Sequence, residues 1–173
     1  MNNSRSHSNN ENTVENVSMR ILFRSAVLDD VEFLLSLRND PSAWSQFIQA
    51  RYVSKEEHFE WFKGVLKRDD VKVFIILYGD TSVGYVRYEI NEARALVSIA
   101  ISAEYRGKGF GTQALKLTGQ KILCLPNVTA LKALVKENNK ESLRCFENVG
   151  FCRVDREKKG NEYFIIMELG KAT

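Results

Sequence analysis

The spacing of apolar residues changes period several times along the chain, and each change marks an element. Residues 20–26 (RILFRSA) suit a strand, and Asp29 with Glu32 then has the spacing of a capping box that opens a helix through Leu37. Asn39, Asp40 and Pro41 end that helix. A second box, Ser54 with Glu57, starts a helix on which Phe59, Phe62, Val65 and Leu66 recur at helical spacing. Three strand-like runs follow at 72–78, 82–90 and 95–101, separated by the turn signals Gly79-Asp80 and Asn91-Glu92, which predicts an antiparallel meander. Next come a glycine-rich loop, a helix to about Leu123, a strand at 130–135 and a helix at 140–149. The chain closes on a hairpin of 151–157 with 162–169 around Lys159-Gly160-Asn161. The order is β-α-α-β-β-β-α-β-α-β-β, with no internal repeat.

A first stretch departs from this patterning. Residues 1–18 (MNNSRSHSNNENTVENVS) are mostly Asn, Ser and charge with almost nothing to bury, which predicts a disordered tail before a single domain at 19–173. Met19 directly precedes the first apolar strand and is a candidate start codon. At 173 residues the chain has room for one compact core, and its 44% hydrophobic and 27% charged content is that of an ordinary globular protein. No apolar run reaches the ~20 residues of a membrane helix. Cys124, Cys145 and Cys152 are odd in number and lack Cys-x-x-Cys spacing, so free thiols in a reducing, cytoplasmic compartment are expected, with no metal site. The net charge of +3 is scattered, which argues against nucleic-acid binding and for anion recognition at a local site.

That local site is the segment SIAISAEYRGKGFGTQALKL, where a strand runs into Arg106-Gly107-Lys108-Gly109-Phe110-Gly111 and straight into a helix. Alternating glycines let backbone N–H groups approach a ligand, the helix N-terminus adds partial positive charge, and Arg106 and Lys108 reinforce the field. A pyrophosphate suits this better than a lone carboxylate. The spacing is neither the dinucleotide fingerprint G-x-G-x-x-G nor the P-loop. Taken alone, the glycines also fit a simple tight strand-to-helix turn.

The R-x-x-G-x-G loop after the third strand of a meander, followed by Val135-Lys136-Glu137-Asn138-Asn139-Lys140-Glu141-Ser142 and then Phe146 and Gly150-Phe151, resembles the GNAT superfamily of N-acetyltransferases over about residues 20–169. The resemblance implies an α/β (α+β) fold, a mixed, mostly antiparallel sheet of six to seven strands with helices on both faces. It implies acetyl-CoA as co-substrate, its pyrophosphate held by Arg106, Gly107, Lys108, Gly109, Phe110, Gly111 and Thr112. The backbone of Ile99 and Ile101 would hold the pantetheine arm and thioester, and Asn139, Ser142 and Phe146 fall where the family has its Asn-x-x-(Ala/Ser)-x-x-x-Tyr helix. Asn139 is equally a good helix N-cap. Relatives carry a proton-donating Tyr at the Phe146 position, and a phenylalanine donates no proton. A Glu base found in some relatives is also missing, since Leu134 stands there.

Catalytic candidates are therefore His58, which titrates near neutrality, and Ser98, a hydroxyl that could hold water, with Glu89 as a third. His58 and Ser98 each also have a purely packing and hydrogen-bonding reading. The acceptor is expected to be a small-molecule amine. Leu37-Arg38-Asn39-Asp40-Pro41, the segment from Val53 to Phe62 and Gly84-Tyr85-Val86-Arg87 are similar to acetyltransferases of nucleotide-linked amino-deoxy sugars in pseudaminic-acid-type biosynthesis. Trp44 and Phe47 stand where those relatives commonly have Arg and Ser. Trp44, Phe47, Tyr52 and Trp61 would form either an aromatic wall for a base or sugar, or core. Protein N-terminal or antibiotic amine acetylation, and a non-catalytic acyl-CoA sensor, are the rival functions. A homodimer is one assembly the reading allows, and no membrane or nucleic-acid partner is expected.

Overall fold

The computed structural model describes residues 20–44, 46 and 51–171. The tail at 1–18, Met19 and Phe47 lie outside the described residues. Among the described residues seven strands form one sheet: β1 (Ile21–Ser25), β2 (Val71–Tyr78), β3 (Thr81–Asn91), β4 (Arg94–Ile101), β5 (Ala130–Lys136), β6 (Cys152–Lys159) and β7 (Glu162–Gly170). Their order is β1-β2-β3-β4-β5-β7-β6, and every pair is antiparallel except β4 with β5. The helices are α1 (Val31–Arg38), α2 (Pro41–Trp44), α3 (Lys55–Val65), α4 (Phe110–Leu123) and α5 (Lys140–Glu147). Among the described residues no helix is long and apolar enough to cross a membrane.

Alternation along the strands sorts the side chains onto two helical layers. Phe74 and Ile76 of β2, Val86 and Tyr88 of β3 and Ala95 and Val97 of β4 pack with Phe110, Ala114 and Leu115 of α4 and Leu143 and Phe146 of α5. Val71 and Ile75 of β2 take the opposite face, where Leu34 of α1 and Phe62 and Val65 of α3 cover them and Tyr85 joins from β3. Helices on both faces of a mostly antiparallel sheet match the expectation from sequence.

Three local expectations change. The start of α1 is anchored by Asp30 rather than Asp29: the buried Asp30 carboxylate accepts the Val27 N–H at 2.8 Å and both guanidinium arms of Arg24 at 2.6 and 2.7 Å. Burial alone would raise the Asp30 pKa, but these hydrogen bonds outweigh it and hold the carboxyl low. Pro41 ends α1 and also begins α2, because its missing N–H costs nothing in a first helical turn. At α3 the Ser54 hydroxyl accepts the Glu57 N–H at 3.1 Å as expected, whereas the Glu57 carboxylate turns to Arg51 instead of closing the box.

Candidate active site

The parallel pairing of β4 with β5 runs from Arg94↔Ala130 only as far as Val97↔Ala133. Beyond it β4 continues to Ile101 beside β3, and β5 continues to Lys136 beside β7, so the two strands part. Successive N–H groups of a strand point to opposite sides. The Ser102 N–H reaches the Val83 carbonyl of β3 at 2.9 Å, which places the N–H groups of residues 98 and 100 toward β3 and those of Ile99 and Ile101 toward the gap. Both backbone positions singled out from sequence thus face the open edge. Close approach at this end requires Gly84, where an added Cβ would lie 2.5 Å from the Ala100 carbonyl oxygen.

The glycine loop follows directly. Gly107 and Gly109 take left-handed φ values of 70° and 82°, which other residues adopt only with strain. Gly109 is the N-cap of α4 and has no side chain to satisfy the first-turn N–H groups, and that turn contains no acidic residue. The other helices of eight or more residues differ: α1, α3 and α5 each carry a glutamate in the first turn, and α3 and α5 have a side-chain cap as well. The N-terminus of the 14-residue α4 thus has first-turn N–H groups that no side chain caps, an arrangement that suits an anion. Gly111 lies inward: its Cβ would sit 3.2 Å from Cys145 Sγ and 3.7 and 3.8 Å from side-chain atoms of Ile99 and Ile101. The loop and the open strand edge are thus neighbours.

The side chains of the loop divide by role. Phe110 is buried and edge-on to Tyr78 and Tyr105, with ring centroids 5.3 and 5.4 Å away, so it anchors the loop and only its backbone faces outward. Lys108 is exposed, 5.8 Å over the Tyr105 ring. The Thr112 hydroxyl is 3.5 Å from Cys145 Sγ. Arg106 departs from its expected place on a phosphate. Its Nε donates to the Ile101 carbonyl at 2.8 Å, Nη1 to Ser42 Oγ at 2.7 Å and Nη2 to Asp40 Oδ2, so the side chain ties the loop to the start of α2.

On α5 the Asn139 side chain accepts the Ser142 N–H at 3.0 Å, which makes it the helix N-cap. Phe146 is 3% exposed with its ring 5.0 Å from Phe151, inside the main core, and its neighbour Cys145 is the residue that faces Gly111. Burial pushes the Cys145 thiol pKa up, so it stays protonated.

His58, Ser98 and Glu89 lie on the other side of the sheet, under α1 and α3. Ser98 pairs across the ladder with Arg87, whose guanidinium lies 5.8 Å over the Trp61 ring of α3. His58 is buried 5.1 Å from the Trp61 ring, and its Nε2 has no hydrogen-bond partner among the described residues. Burial, then the charge of Arg38, lowers its pKa. Glu89 accepts a hydrogen bond from Arg68 at 2.8 Å. Trp44 belongs to α2 with its indole N–H buried and unpartnered among the described residues, while Tyr52 is exposed and Trp61 is 44% exposed. The sequence reading passed over Asp40 as the partner of Arg106, and Cys145 as a lining residue. Neither has a local signal, since Asp40 and Arg106 are 66 residues apart. A surface depression of about 340 Å³ between α1 and α3 is lined by Glu32, Lys55 and Phe59, residues apart from the loop.

Comparison with known proteins agrees with this geometry. Residues 20–152 match the family described as acetyltransferase (GNAT) domain. An uncharacterized N-acetyltransferase of Bacillus subtilis is 33% identical over 101 residues, covering 57% of the chain and 66% of that protein. An uncharacterized protein of Methanocaldococcus jannaschii is 29% identical over 87% of the chain, which spans only 31% of that protein's length. Acetyltransferase PseH of Campylobacter jejuni is 23% identical over 75% of the chain and 81% of its own. The crystal structure of spermidine N-acetyltransferase from Vibrio cholerae in complex with CoA and spermine superposes with a TM-score of 0.80 at 20% identity, over 87% of the chain and 95% of that protein.

Proposed function

The chain belongs to the GNAT acetyltransferase family, and from that premise we propose that it transfers the acetyl group of acetyl-CoA to a primary amine of a small acceptor by direct attack, without an acyl-enzyme. The observation that carries the reading is the uncapped N-terminus of α4 lying against the open edge of β4. The donors fit the co-substrate: first-turn N–H groups from Phe110 to Thr112 suit a pyrophosphate, and the backbone of Ile99 and Ile101 suits an extended amide arm laid along the strand. Acetyl-CoA supplies an activated thioester whose acyl carbon the neutral acceptor nitrogen attacks.

The chain's own part is binding, polarisation and proton handling. The Ile99 N–H is directed at the gap and would stabilise charge on the acyl oxygen without any special side chain. His58, neutral at pH 7 because its pKa is lowered, would accept the amine proton through water, with the Ser98 hydroxyl holding that water. No acid is needed on the leaving side, because a thiol with a pKa of about 8.5 leaves tolerably as thiolate. Two acceptor classes come forward, nucleotide-linked amino sugars from the segments at 37–41, 53–62 and 84–87, and polyamines from the Vibrio protein.

The test is thiol release from acetyl-CoA in the presence of amino sugars, nucleotide-linked amino sugars, peptides, polyamines and aminoglycosides. The expected result is release that depends on one of these amines. Binding of acetyl-CoA with no release from any of them would favour an acyl-CoA sensor over an enzyme.

A further inference from the structure

The α1–α3 side of the β3–β4 ladder carries several polar groups that have no hydrogen-bond partner among the described residues. Arg87 is 25% exposed at its side chain and makes no hydrogen bond among the described residues; it has only a 3.7 Å ion pair with Glu89 and the Trp61 ring beside it. The Tyr85 phenol, two residues away on the same face, has no hydrogen bond among the described residues either, nor does the Ser98 hydroxyl opposite Arg87. His58 Nε2 completes the set beside Trp61. Arg38 of α1 adds a second positive charge felt by both Tyr85 and His58.

Carboxylates bordering this face are each paired with a cation, Glu89 with Arg68, which it shares with Asp70, and at 3.7 Å with Arg87. Asp40 is held by Arg106, Glu57 by Arg51 and Glu32 by Lys55 at 3.3 Å. A polyammonium acceptor would find the Arg87 guanidinium where it needs an anion. An acceptor carrying an anion would satisfy the Arg87 fork while its ring or chain lies along Trp61.

We infer that the acceptor carries an anionic group, a phosphate or a carboxylate, set close to its amine, and that Arg87 is the residue that reads it. This rests on the acetyltransferase reading for the amine but not for the anion. Arg87 and Ser98 form one cross-strand pair, and Ile99 is the next residue of β4, so the anion sits one strand position from the gap where the acyl group is expected. The amine and the anion must therefore be near neighbours in the acceptor.

Thiol release from acetyl-CoA is compared for glucosamine 1-phosphate, glucosamine 6-phosphate, glucosamine and spermidine, and for glycylglycine against its amide. A phosphorylated or carboxylated member should exceed its neutral counterpart and spermidine at least tenfold in kcat/KM. That preference should collapse in Arg87→Gln and largely survive in Arg87→Lys. The two pairs of probes tell phosphate from carboxylate. Spermidine matching or exceeding the anionic amines, or an unchanged preference in Arg87→Gln with acetyl-CoA binding intact, overturns the inference. If none of them is acetylated, calorimetry of glucosamine 1-phosphate and glycylglycine with the CoA-loaded protein decides. Binding that Arg87→Gln weakens tenfold keeps the anion site while the transferase reading falls, and no Arg87-dependent binding overturns the site itself.

Discussion

The guanidinium of Arg106 grips three oxygens at once, on Ile101, Ser42 and Asp40, and so belongs to the framework of the loop. On the proposed function, the field for the pyrophosphate would then rest on backbone N–H groups and Lys108. Asp40→Asn should cost about 1 kcal/mol of stability, the scale of a partly exposed, hydrogen-bonded ion pair. Acetyl-CoA affinity should hold or rise as Arg106 is released. Thermal melting with and without acetyl-CoA checks both, and a collapse of affinity in a folded variant would return Arg106 to the phosphate through Asp40.

His58 gives a pH signature. Its folded-state pKa lies below the ordinary 6.5, chiefly through burial. As pH falls through about 6.5 the unfolded chain takes up a proton at this site and the native state does not, so stability is lost toward acid. Chemical denaturation between about pH 7 and pH 5 should show that loss, flattened in His58→Gln. If His58 also relays the amine proton, the acid limb of kcat/KM disappears in the same variant. A variant with the parent's stability slope would mean that the imidazole titrates alike in the folded and unfolded chain, against the lowered pKa.

Residue identity was legible where chemistry is local. Ser54 and Asn139 cap their helices because a short polar side chain reaches an N–H three residues on. Asp29 was the wrong aspartate because the choice between it and Asp30 depends on Arg24, which no capping pattern contains. Phe146 shares the buried stripe of α5 with Leu143, and that stripe, rather than the family spacing, decides where its ring goes.

At the scale of elements, α4 and α5 meet where glycine meets cysteine. A Cβ at Gly111 would stand 3.2 Å from Cys145 Sγ, tighter than ordinary contact. Gly111→Ala should therefore destabilise modestly and weaken acetyl-CoA binding by pushing α5 from the loop. Cys145→Ala should relieve part of both effects, giving coupling of about 0.5–1 kcal/mol in a double-mutant cycle. Strict additivity in stability and in binding would show that the two helices have room to spare. The strands from β2 to β7 fall within two residues of their sequence limits, because alternation and turn signals bound them. The short α2 escaped because Asn39-Asp40-Pro41 reads as a stop, and a stop with proline also serves as a start.

For the whole molecule the deciding feature is the parting of two parallel strands, which opens the sheet to both faces. The loop and α4 approach from one side and Arg87, Ser98 and His58 from the other, so under the proposed function co-substrate and acceptor would reach a shared gap by separate routes. Neither the parting nor the insertion of β7 between β5 and β6 is written in local periodicity, since both depend on which strand edges remain free after the meander closes. The register sets the limit of the parallel pairing at Val97↔Ala133. The most direct test of the account is to follow backbone amides by nitrogen-labelled NMR while acetyl-CoA is added. The amides of Ile99, Ile101, Gly109, Phe110, Gly111 and Thr112 should shift together and saturate with one binding constant, and shifts confined elsewhere, with these six silent, would contradict it.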